Sequence, residues 1–260
     1  MAGHLTVRDV HVVYKLPGRR QLAAVDGVSF DLAPGEVLGL VGESGCGKST
    51  LARTICGLEP LAAGTVEFDG QPVVALGLRK RPGHLLRIQM VFQNPYSSLN
   101  PRRRVGDQIE DALAIAPPSE RSSVDRLLDD VELDRGAANL FPHQFSGGQR
   151  QRIAIARAMG ARPDVLVGDE PIASLDASLQ AKVATLMRDV ALKNGASLLF
   201  ISHDLSVVRV VADRVAVMQA GRIVETGPVA AVWNAPTDPY TRRLLAAIPT
   251  ADGLGRLPAA

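Results

Sequence analysis

The sequence predicts an α/β fold in which helices flank a mainly parallel sheet, and three observations support this prediction. Short apolar runs rich in β-branched residues alternate with segments whose apolar residues recur at helical spacing. One such run, Val37–Val41, leads into a glycine-rich loop and then into a helical segment. Residues 105–162 interrupt the alternation with a mostly helical pattern, which indicates a helical insert between two strands.

The composition is that of an ordinary globular protein. The chain has 260 residues, of which 46% are hydrophobic and 22% charged, enough for a core with a subdomain. A net charge of +2 gives no indication of a nucleic-acid partner. We expect no secretory segment, and no apolar run approaches the roughly 18 residues of a membrane-spanning helix. The two cysteines, Cys46 and Cys56, favour a reducing cytosol.

The first half of the chain is predicted to be rich in strands. Alternating apolar residues predict strands at 5–14 and 24–32, and a Pro-Gly turn precedes the buried strand at 37–41. A helix is expected from Ser49 to Cys56, and further strands at 64–70 and 88–92. A basic connection broken by Gly and Pro joins these last two strands at 71–87. Three arginines at 102–104 indicate a solvated face, with contact to lipid head groups or a partner as the alternative.

The second half alternates helices and strands. Apolar residues at helical spacing predict helices at 124–131 and 177–194, and a further helix is expected to begin after Ser146 and to run to about Gly160. Strands are expected at 165–168 and 197–201, followed by two short strands that flank Ala220-Gly221. In a parallel sheet the ligand site lies at the carboxyl ends of the strands. Gly42, Gln93, Asp169 and His203 are all predicted to lie there.

The glycine-rich loop has the spacing G-x-x-x-x-G-K-S of a phosphate-binding loop. Its glycines allow backbone N–H groups to converge on phosphate oxygens, and the helix N-terminus adds its positive end. Lys48 supplies a charge for the β- and γ-phosphates, and the Ser49 hydroxyl is placed to ligate Mg²⁺. A glycine-rich turn that happens to contain Lys is the alternative. The predicted ATP-binding residues of the loop are Gly42, Glu43, Ser44, Gly45, Cys46, Gly47, Lys48, Ser49 and Thr50.

Two adjacent carboxylates end the strand at 165–168. Asp169 is expected to hold Mg²⁺ through water, and Glu170 to polarise the attacking water. The alternative is a turn whose carboxylates interact with a helix dipole. Because a phosphate-binding loop lies upstream, we favour the catalytic interpretation.

A second helix start also has the features of an anion site. Ser146, Gly147, Gly148 and Gln149 contain a Ser-x-x-Gln capping box, which suits any helix start. A capping box does not require two glycines, however, and glycines let a backbone approach an anion closely. The chain has one nucleotide loop but two candidate anion sites, and a single ATP pocket within one chain does not readily use both. We therefore predict a head-to-tail dimer in which each subunit closes the nucleotide site of the other.

The order of these motifs resembles that of ABC transporter ATPase domains over about residues 5–228. The stretches at 93–101, 145–152 and 233–241 resemble the branch that imports oligopeptides, dipeptides and nickel, although Asp238 stands where that branch usually has His. The resemblance implies a RecA-like P-loop NTPase core with an N-terminal antiparallel β-subdomain and an inserted helical subdomain. It implies ATP-binding core segments at 1–93 and 163–228, a helical subdomain at 94–162 and a C-terminal extension at 229–260.

The resemblance also implies roles for single residues. Tyr14, otherwise a core or edge aromatic, would stack on adenine, and Gln93 would reach Mg²⁺ and sense the membrane partner. Asp176 would link the two sites of the dimer, and His203 would contact the γ-phosphate. The implied cofactors are ATP and Mg²⁺.

The function implied is ATP hydrolysis that energises import of peptides, or of nickel or another small solute. The implied partners are a second ATPase subunit, identical or a paralogue, two transmembrane permease subunits and, indirectly, an extracytoplasmic substrate-binding protein. We expect a peripheral location on the cytoplasmic face of the membrane, and no nucleic acid. The alternatives are the ATPase of an exporter and an ABC ATPase that does not serve transport.

Overall fold

The structure is a computed structural model that describes residues 3–17, 21–77, 81–95 and 98–248. Parts of three predicted segments lie outside these residues: 78–80 of the basic connection, Tyr96 and Ser97 of the loop after Gln93, and 249–260 of the C-terminal extension. Among the helices described, none combines the length and apolar character that a membrane crossing requires.

Ten strands form two sheets in the described residues. The strands are β1 (Leu5–Lys15), β2 (Gln21–Leu32), β3 (Val37–Val41), β4 (Ala63–Phe68), β5 (Gln71–Pro72), β6 (Ile88–Val91), β7 (Val165–Asp169), β8 (Ser197–Ile201), β9 (Arg214–Gln219) and β10 (Arg222–Pro228). An antiparallel sheet has the order β2-β1-β4-β5, and a larger sheet has the order β10-β9-β3-β8-β7-β6. The larger sheet is parallel except at its β9–β10 edge, which confirms the predicted mainly parallel core.

Eight α-helices accompany the strands in the part of the chain that the structure describes. They are α1 (Lys48–Ile55), α2 (Val105–Leu113), α3 (Val124–Asp130), α4 (Gly147–Gly160), α5 (Ala177–Lys193), α6 (Leu205–Val211), α7 (Val229–Asn234) and α8 (Pro239–Ala246). The insert between β6 and β7 contains α2, α3 and α4, as predicted, with short 3₁₀ turns between them. The sequence patterns did not predict α6, α7 or α8, which have 7, 6 and 8 residues.

Both faces of the parallel sheet are covered, because alternate residues of each strand point to opposite sides. In β3, Leu38 and Leu40 pack with α1 and the antiparallel sheet in one apolar cluster. Val37 and Val41 pack in a second cluster with the helices of the other face and of the insert. All five residues of β3 are buried, which explains its continuous apolar sequence. The sheet therefore holds the end of β3, and the loop that follows it, rigidly in place.

Candidate active site

The glycine-rich loop connects the end of β3 to the start of α1, as predicted. Gly42, Gly45 and Gly47 have φ angles of 153°, 82° and 108°. At two of them a side chain has no room: a Cβ would lie 2.1 Å from the Met218 carbonyl oxygen at Gly42, and 2.0 Å from that of Ala24 at Gly47. No side chain caps α1, so its N-terminus presents backbone N–H groups for an anion.

Lys48 is buried beneath the loop, with only 4% of its surface exposed. Its Nζ donates to the carbonyl oxygens of Gly42 at 2.8 Å and Glu43 at 2.9 Å. Nζ also lies 3.9 Å from Glu170 Oε1. The lysine charge is thus held between the loop carbonyls and a carboxylate at the end of β7.

The turn between β9 and β10 supports the loop from the side. Ala220 and Gly221 both have positive φ angles, 46° and 84°, as a tight hairpin turn requires. The Gly221 N–H donates to the Cys46 carbonyl oxygen at 2.9 Å, and the Gly221 carbonyl accepts from the Asp26 N–H at 2.9 Å. This turn therefore ties the phosphate-binding loop to β2 of the antiparallel sheet.

Asp169 and Glu170, at the end of β7, face different partners. The Ser49 hydroxyl donates to Asp169 Oδ1 at 2.7 Å. Burial raises the pKa of the Asp169 carboxyl, and the hydrogen bond from Ser49 opposes that shift. Glu170 Oε2 lies 3.0 Å from Nδ1 of His203, which follows β8. The carboxyl ends of β3, β7 and β8 thus bring Lys48, Glu170 and His203 together.

A cavity of about 470 Å³ opens above the loop. It is large enough for a small-molecule ligand. The predicted site residues that line it are Tyr14, Ser44, Gly45, Cys46, Gly47, Lys48, Ser49, Thr50, Gln93 and Glu170. Gly42 and Glu43 complete the loop, and Asp169 and His203 bond to Ser49 and Glu170. Sequence reasoning did not assign Leu22, Ala23, Ala24, Ala220 and Gly221 to the site, although they also line this cavity.

The remaining predicted site residues form a second group that does not line this cavity. Ser146 caps α4 in a reciprocal capping box with Gln149, with distances of 3.3 Å and 2.9 Å. Asp176 caps α5, accepting from the Leu179 N–H at 3.1 Å. A Cβ on Gly148 would lie 3.2 Å from Leu179, so the starts of α4 and α5 adjoin each other. Ser146, Gly147, Gln149 and Asp176 are exposed.

The oxygen atoms near Ser49 suit a hard divalent cation. Mg²⁺ is held in proteins by one or two carboxylates, with water and phosphate oxygens as further ligands. Ser49 and Asp169 provide a hydroxyl and a carboxylate that are 2.7 Å apart, and Gln93 provides an amide oxygen in the lining of the cavity. Within the described residues no cluster of three or more His, Cys, Asp or Glu could hold a metal by itself. This donor set therefore fits a cation that arrives with phosphate.

Comparison with known proteins places the chain in a family. The family model described as ABC transporter matches residues 25–173, which include the phosphate-binding loop, the capping box at Ser146 and both strand-end carboxylates. The chain belongs to the ABC transporter family. As a member of this family with an intact phosphate-binding loop, it is an ABC ATPase that binds ATP.

Relatives of this ABC ATPase include transport proteins of several bacteria. A Brucella abortus (strain 2308) protein, named as a candidate peptide import ATP-binding protein, is 50% identical over 252 residues, covering 94% of this chain and 75% of the relative. The oligopeptide transport ATP-binding protein OppF of Bacillus subtilis is 46% identical over 240 residues, covering 90% and 79%. The di/tripeptide transport ATP-binding protein DppF of Pseudomonas aeruginosa is 45% identical over 254 residues, covering 94% and 79%.

Solved ABC cassettes share the fold of this ABC ATPase. The ATP-binding cassette MJ0796, in a dimeric post-hydrolysis state bound to ADP and Pi, has a TM-score of 0.73 at 26% identity, covering 86% of this chain and 98% of that one. The cbiO1 protein of Clostridium perfringens, part of the ABC transporter complex cbiONQ, has a TM-score of 0.74 at 26% identity, covering 89% and 90%. These likenesses confirm the predicted fold class.

Proposed function

We propose that this ABC ATPase is the ATP-hydrolysing subunit of an importer that energises peptide uptake. The observation that carries the proposal is the convergence of Lys48, Glu170 and His203 at the carboxyl ends of three parallel strands, next to a phosphate-binding loop. The choice of peptides is supported by relatives whose names refer to peptide, oligopeptide or di/tripeptide transport. Nickel or another small solute is the alternative cargo.

In this proposal the cavity holds ATP with its phosphates on the loop. Tyr14 packs against the adenine, and the loop N–H groups with Lys48 bind the phosphates. Ser49, Gln93 and, through water, Asp169 would hold Mg²⁺, and the ion would supply positive charge to neutralise the phosphates. Ser49 and Asp169 are within a hydrogen bond of each other, so both can face the same ligand.

Hydrolysis requires a base that takes a proton from the attacking water. Glu170 fits this role because its side chain is mostly buried, close to Lys48 and aligned by His203. In this proposal His203, which lies at the same edge of the sheet and pairs with Glu170, would contact the γ-phosphate. Lys48, which now bonds to the carbonyls of its own loop, would exchange these for phosphate oxygens as ATP enters.

A second copy or a paralogue completes the site in this proposal. Ser146, Gly147 and Gln149 are exposed at the start of α4, where Gly148 is buried, and none of the four lines the cavity of its own chain. In a head-to-tail dimer this helix start would bind the γ-phosphate held by the partner, and the adjoining Asp176 would link the two sites. The related cassette MJ0796 is described as dimeric.

The same proposal sets the cellular partners. Residues 94–162 form a helical subdomain that, together with Gln93, transmits dimer opening to two transmembrane permease subunits.

The proposal also divides the chain into regions and gives it a location. Residues 1–93 and 163–228 form the ATP-binding core, and residues 229–260 form a C-terminal extension. The protein would sit peripherally on the cytoplasmic face of the membrane, while an extracytoplasmic protein delivers the cargo and nucleic acid takes no part.

Cargo uptake by cells that lack this chain provides the test. We expect uptake of a radiolabelled tripeptide to fall when the gene is removed, and to return with the wild-type chain but not with Glu170→Gln. Uptake of ⁶³Ni²⁺ is measured in the same cells. If nickel uptake is lost while peptide uptake is normal, the peptide assignment is wrong and the alternative cargo replaces it.

A further inference from the structure

The segment after the last strand is fixed to the sheet before it reaches the phosphate-binding loop. On β10, the Glu225 carboxylate accepts three hydrogen bonds: from the Thr237 N–H at 2.8 Å, the Thr237 hydroxyl at 2.9 Å and the Asp238 N–H at 3.1 Å. A carboxylate that accepts several N–H and O–H donors holds a loop firmly. The loop that leads into α8 is thus fixed to the sheet at its last two residues.

Asp238 then fixes the first turn of α8. Its side chain caps the helix, accepting from the N–H groups of Tyr240 at 2.7 Å and Thr241 at 3.4 Å. Tyr240 and Thr241 are buried, with exposures of 4% and 0%. The Asp at this position therefore has a structural role of its own, and it orients the ring of Tyr240 inward.

The Tyr240 hydroxyl reaches the phosphate-binding loop. It accepts a hydrogen bond from the Glu43 backbone N–H at 3.0 Å. The carbonyl of that same peptide group belongs to Gly42, and it accepts from Lys48 Nζ at 2.8 Å. Since a trans peptide is planar, with its N–H and C=O pointing in opposite directions, holding one fixes the direction of the other. One peptide group therefore links Tyr240 to Lys48.

The Gly42–Glu43 peptide needs a restraint from outside the loop, because the backbone dihedral angles of glycine rotate more freely than those of other residues. Gly42 has a φ of 153°, a conformation open to glycine and to few other residues, and its freedom allows the following peptide to turn. When Lys48 moves toward phosphate, its own hold on the Gly42 carbonyl weakens. The Tyr240 hydrogen bond does not depend on that lysine, so it can keep the loop in shape during the exchange.

We propose that Tyr240 is a positioning residue of the nucleotide site, which holds the Gly42–Glu43 peptide in the orientation that ATP binding requires. The inference rests on the proposed function, because it concerns the same ATP site. Tyr240 acts through the loop and touches no substrate in this assignment. It also lies outside residues 25–173, which the family model matches. Nucleotide affinity would thus depend on a segment beyond the strands of the cassette.

The test compares Tyr240→Phe with the wild-type chain. Phe keeps the buried ring and removes only the hydroxyl. Loss of one hydrogen bond of about 1 kcal/mol weakens ATP binding roughly fivefold, which we expect in the dissociation constant and in KM. The kcat at saturating ATP should stay within about twofold. Hydrogen exchange of the Glu43 amide should become faster in the nucleotide-free variant, a local readout of the missing acceptor.

Thr237→Val is the matched control. It also removes a hydroxyl from the same segment, but that hydroxyl bonds to Glu225 and not to the loop. We expect its ATP affinity and Glu43 exchange to equal those of the wild type. Thermal unfolding without nucleotide confirms that both variants are folded at the temperature of the assay.

Two results would overturn the inference. The first is a Tyr240→Phe variant whose ATP affinity and Glu43 amide exchange rate both equal those of the wild type. The second is a Thr237→Val variant that loses as much ATP affinity as Tyr240→Phe, which would indicate general loosening of the segment. A wild-type chain that binds no ATP would instead contradict the proposed function. If Tyr240→Phe is unfolded, Asp238→Ala, which releases the first turn of α8, must reduce ATP affinity or the inference is wrong.

Discussion

Glu170 has a backbone conformation that few residues with side chains adopt, with a φ of 48°. It follows Asp169 directly, so the left-handed turn at this point directs two consecutive carboxylates to different targets. Asp169 faces Ser49, and Glu170 faces Lys48 and His203. Strained residues of this kind cluster at functional sites, because the surrounding structure must hold them in place.

At this position we predict that Glu170→Gln binds ATP normally but hydrolyses it slower by orders of magnitude. The amide keeps the size of the side chain and one acceptor oxygen, but it is a far weaker base than the carboxylate. Phosphate release measures turnover, and titration with a fluorescent nucleotide measures binding.

Glu132→Gln is the matched control for that variant. Glu132 also has a positive φ, 55°, and also pairs with a cation, Arg152, at 2.9 Å, but it lies away from the cavity. Its hydrolysis rate should remain that of the wild type. Normal turnover in Glu170→Gln would contradict the assignment of the base.

Many of these residues could be predicted from sequence because their signals are local. The loop, Asp169-Glu170 and Ser146-Gly147-Gly148-Gln149 are each recognisable within a few consecutive residues. The contact of Tyr240 with Glu43 could not be predicted, because 197 positions separate the two and nothing near Tyr240 indicates a loop partner. For the same reason, the cavity residues Ala220 and Gly221 could be predicted only as a turn.

Among the elements, the first turn of α4 has two roles in this proposal. The capping box of Ser146 and Gln149 stabilises the helix, and the proposed phosphate contact uses the same exposed start. A substitution that keeps the cap while opposing an anion separates these roles. Asp serves that purpose, since it is as good an N-cap as Ser.

For α4 we predict that Ser146→Asp keeps wild-type thermal stability and loses ATP hydrolysis by two or more orders of magnitude. A carboxylate about 4 Å from a phosphate charge costs about 4 kcal/mol at the effective dielectric of a protein surface. Calorimetry and phosphate release are the measurements. Ser123→Asp, at the equivalent cap of α3, should leave both unchanged. Active Ser146→Asp would show that this helix start meets no phosphate.

The packing of α6 on β3 gives a second element-scale prediction. A Cβ on Gly39 would lie 2.4 Å from Val208 Cγ1 and 3.2 Å from Ala212 Cβ. Gly39→Ala should therefore reduce the free energy of unfolding by about 1–3 kcal/mol, as expected for overpacking. Urea denaturation measures it. Gly83→Ala, where a Cβ has no neighbour within 4 Å, should unfold like the wild type.

Elements were predictable where their patterns were long or continuously apolar. β3, β7 and β8 are buried on both faces, so their sequences are apolar except for Asp169 at the end of β7 and Ser197 at the start of β8. α5 runs for 17 residues and repeats its apolar face several times. α6 and α8 show no such spacing, because four of the 7 residues of α6 are the β-branched Val, which favours strands, and α8 has few apolar residues among its 8. The sheet order also has no local signal, since β3 lies between β8 and β9.

At the scale of the whole molecule, the chain has a nucleotide cavity and, separate from it, an exposed helix start at Ser146. Both have the features of an anion-binding site. If hydrolysis requires both from different subunits, the rate per chain depends on how many chains are paired. We predict that specific ATPase activity rises with protein concentration, and that Glu170→Gln forms an ATP-dependent dimer. Dilution series and size-exclusion chromatography test this. Constant specific activity in a chain that stays monomeric would contradict the dimer.

The turn at Ala220-Gly221 has a consequence for how the protein is made. The Gly221 N–H donates to the Cys46 carbonyl oxygen, so the phosphate-binding loop is completed by a hairpin that lies about 175 residues later in the sequence. During synthesis the amino-terminal half leaves the ribosome with its glycines unsupported. A nascent chain that stops before β9 should therefore fail to retain ATP, and competence to bind should arise abruptly once β10 has emerged.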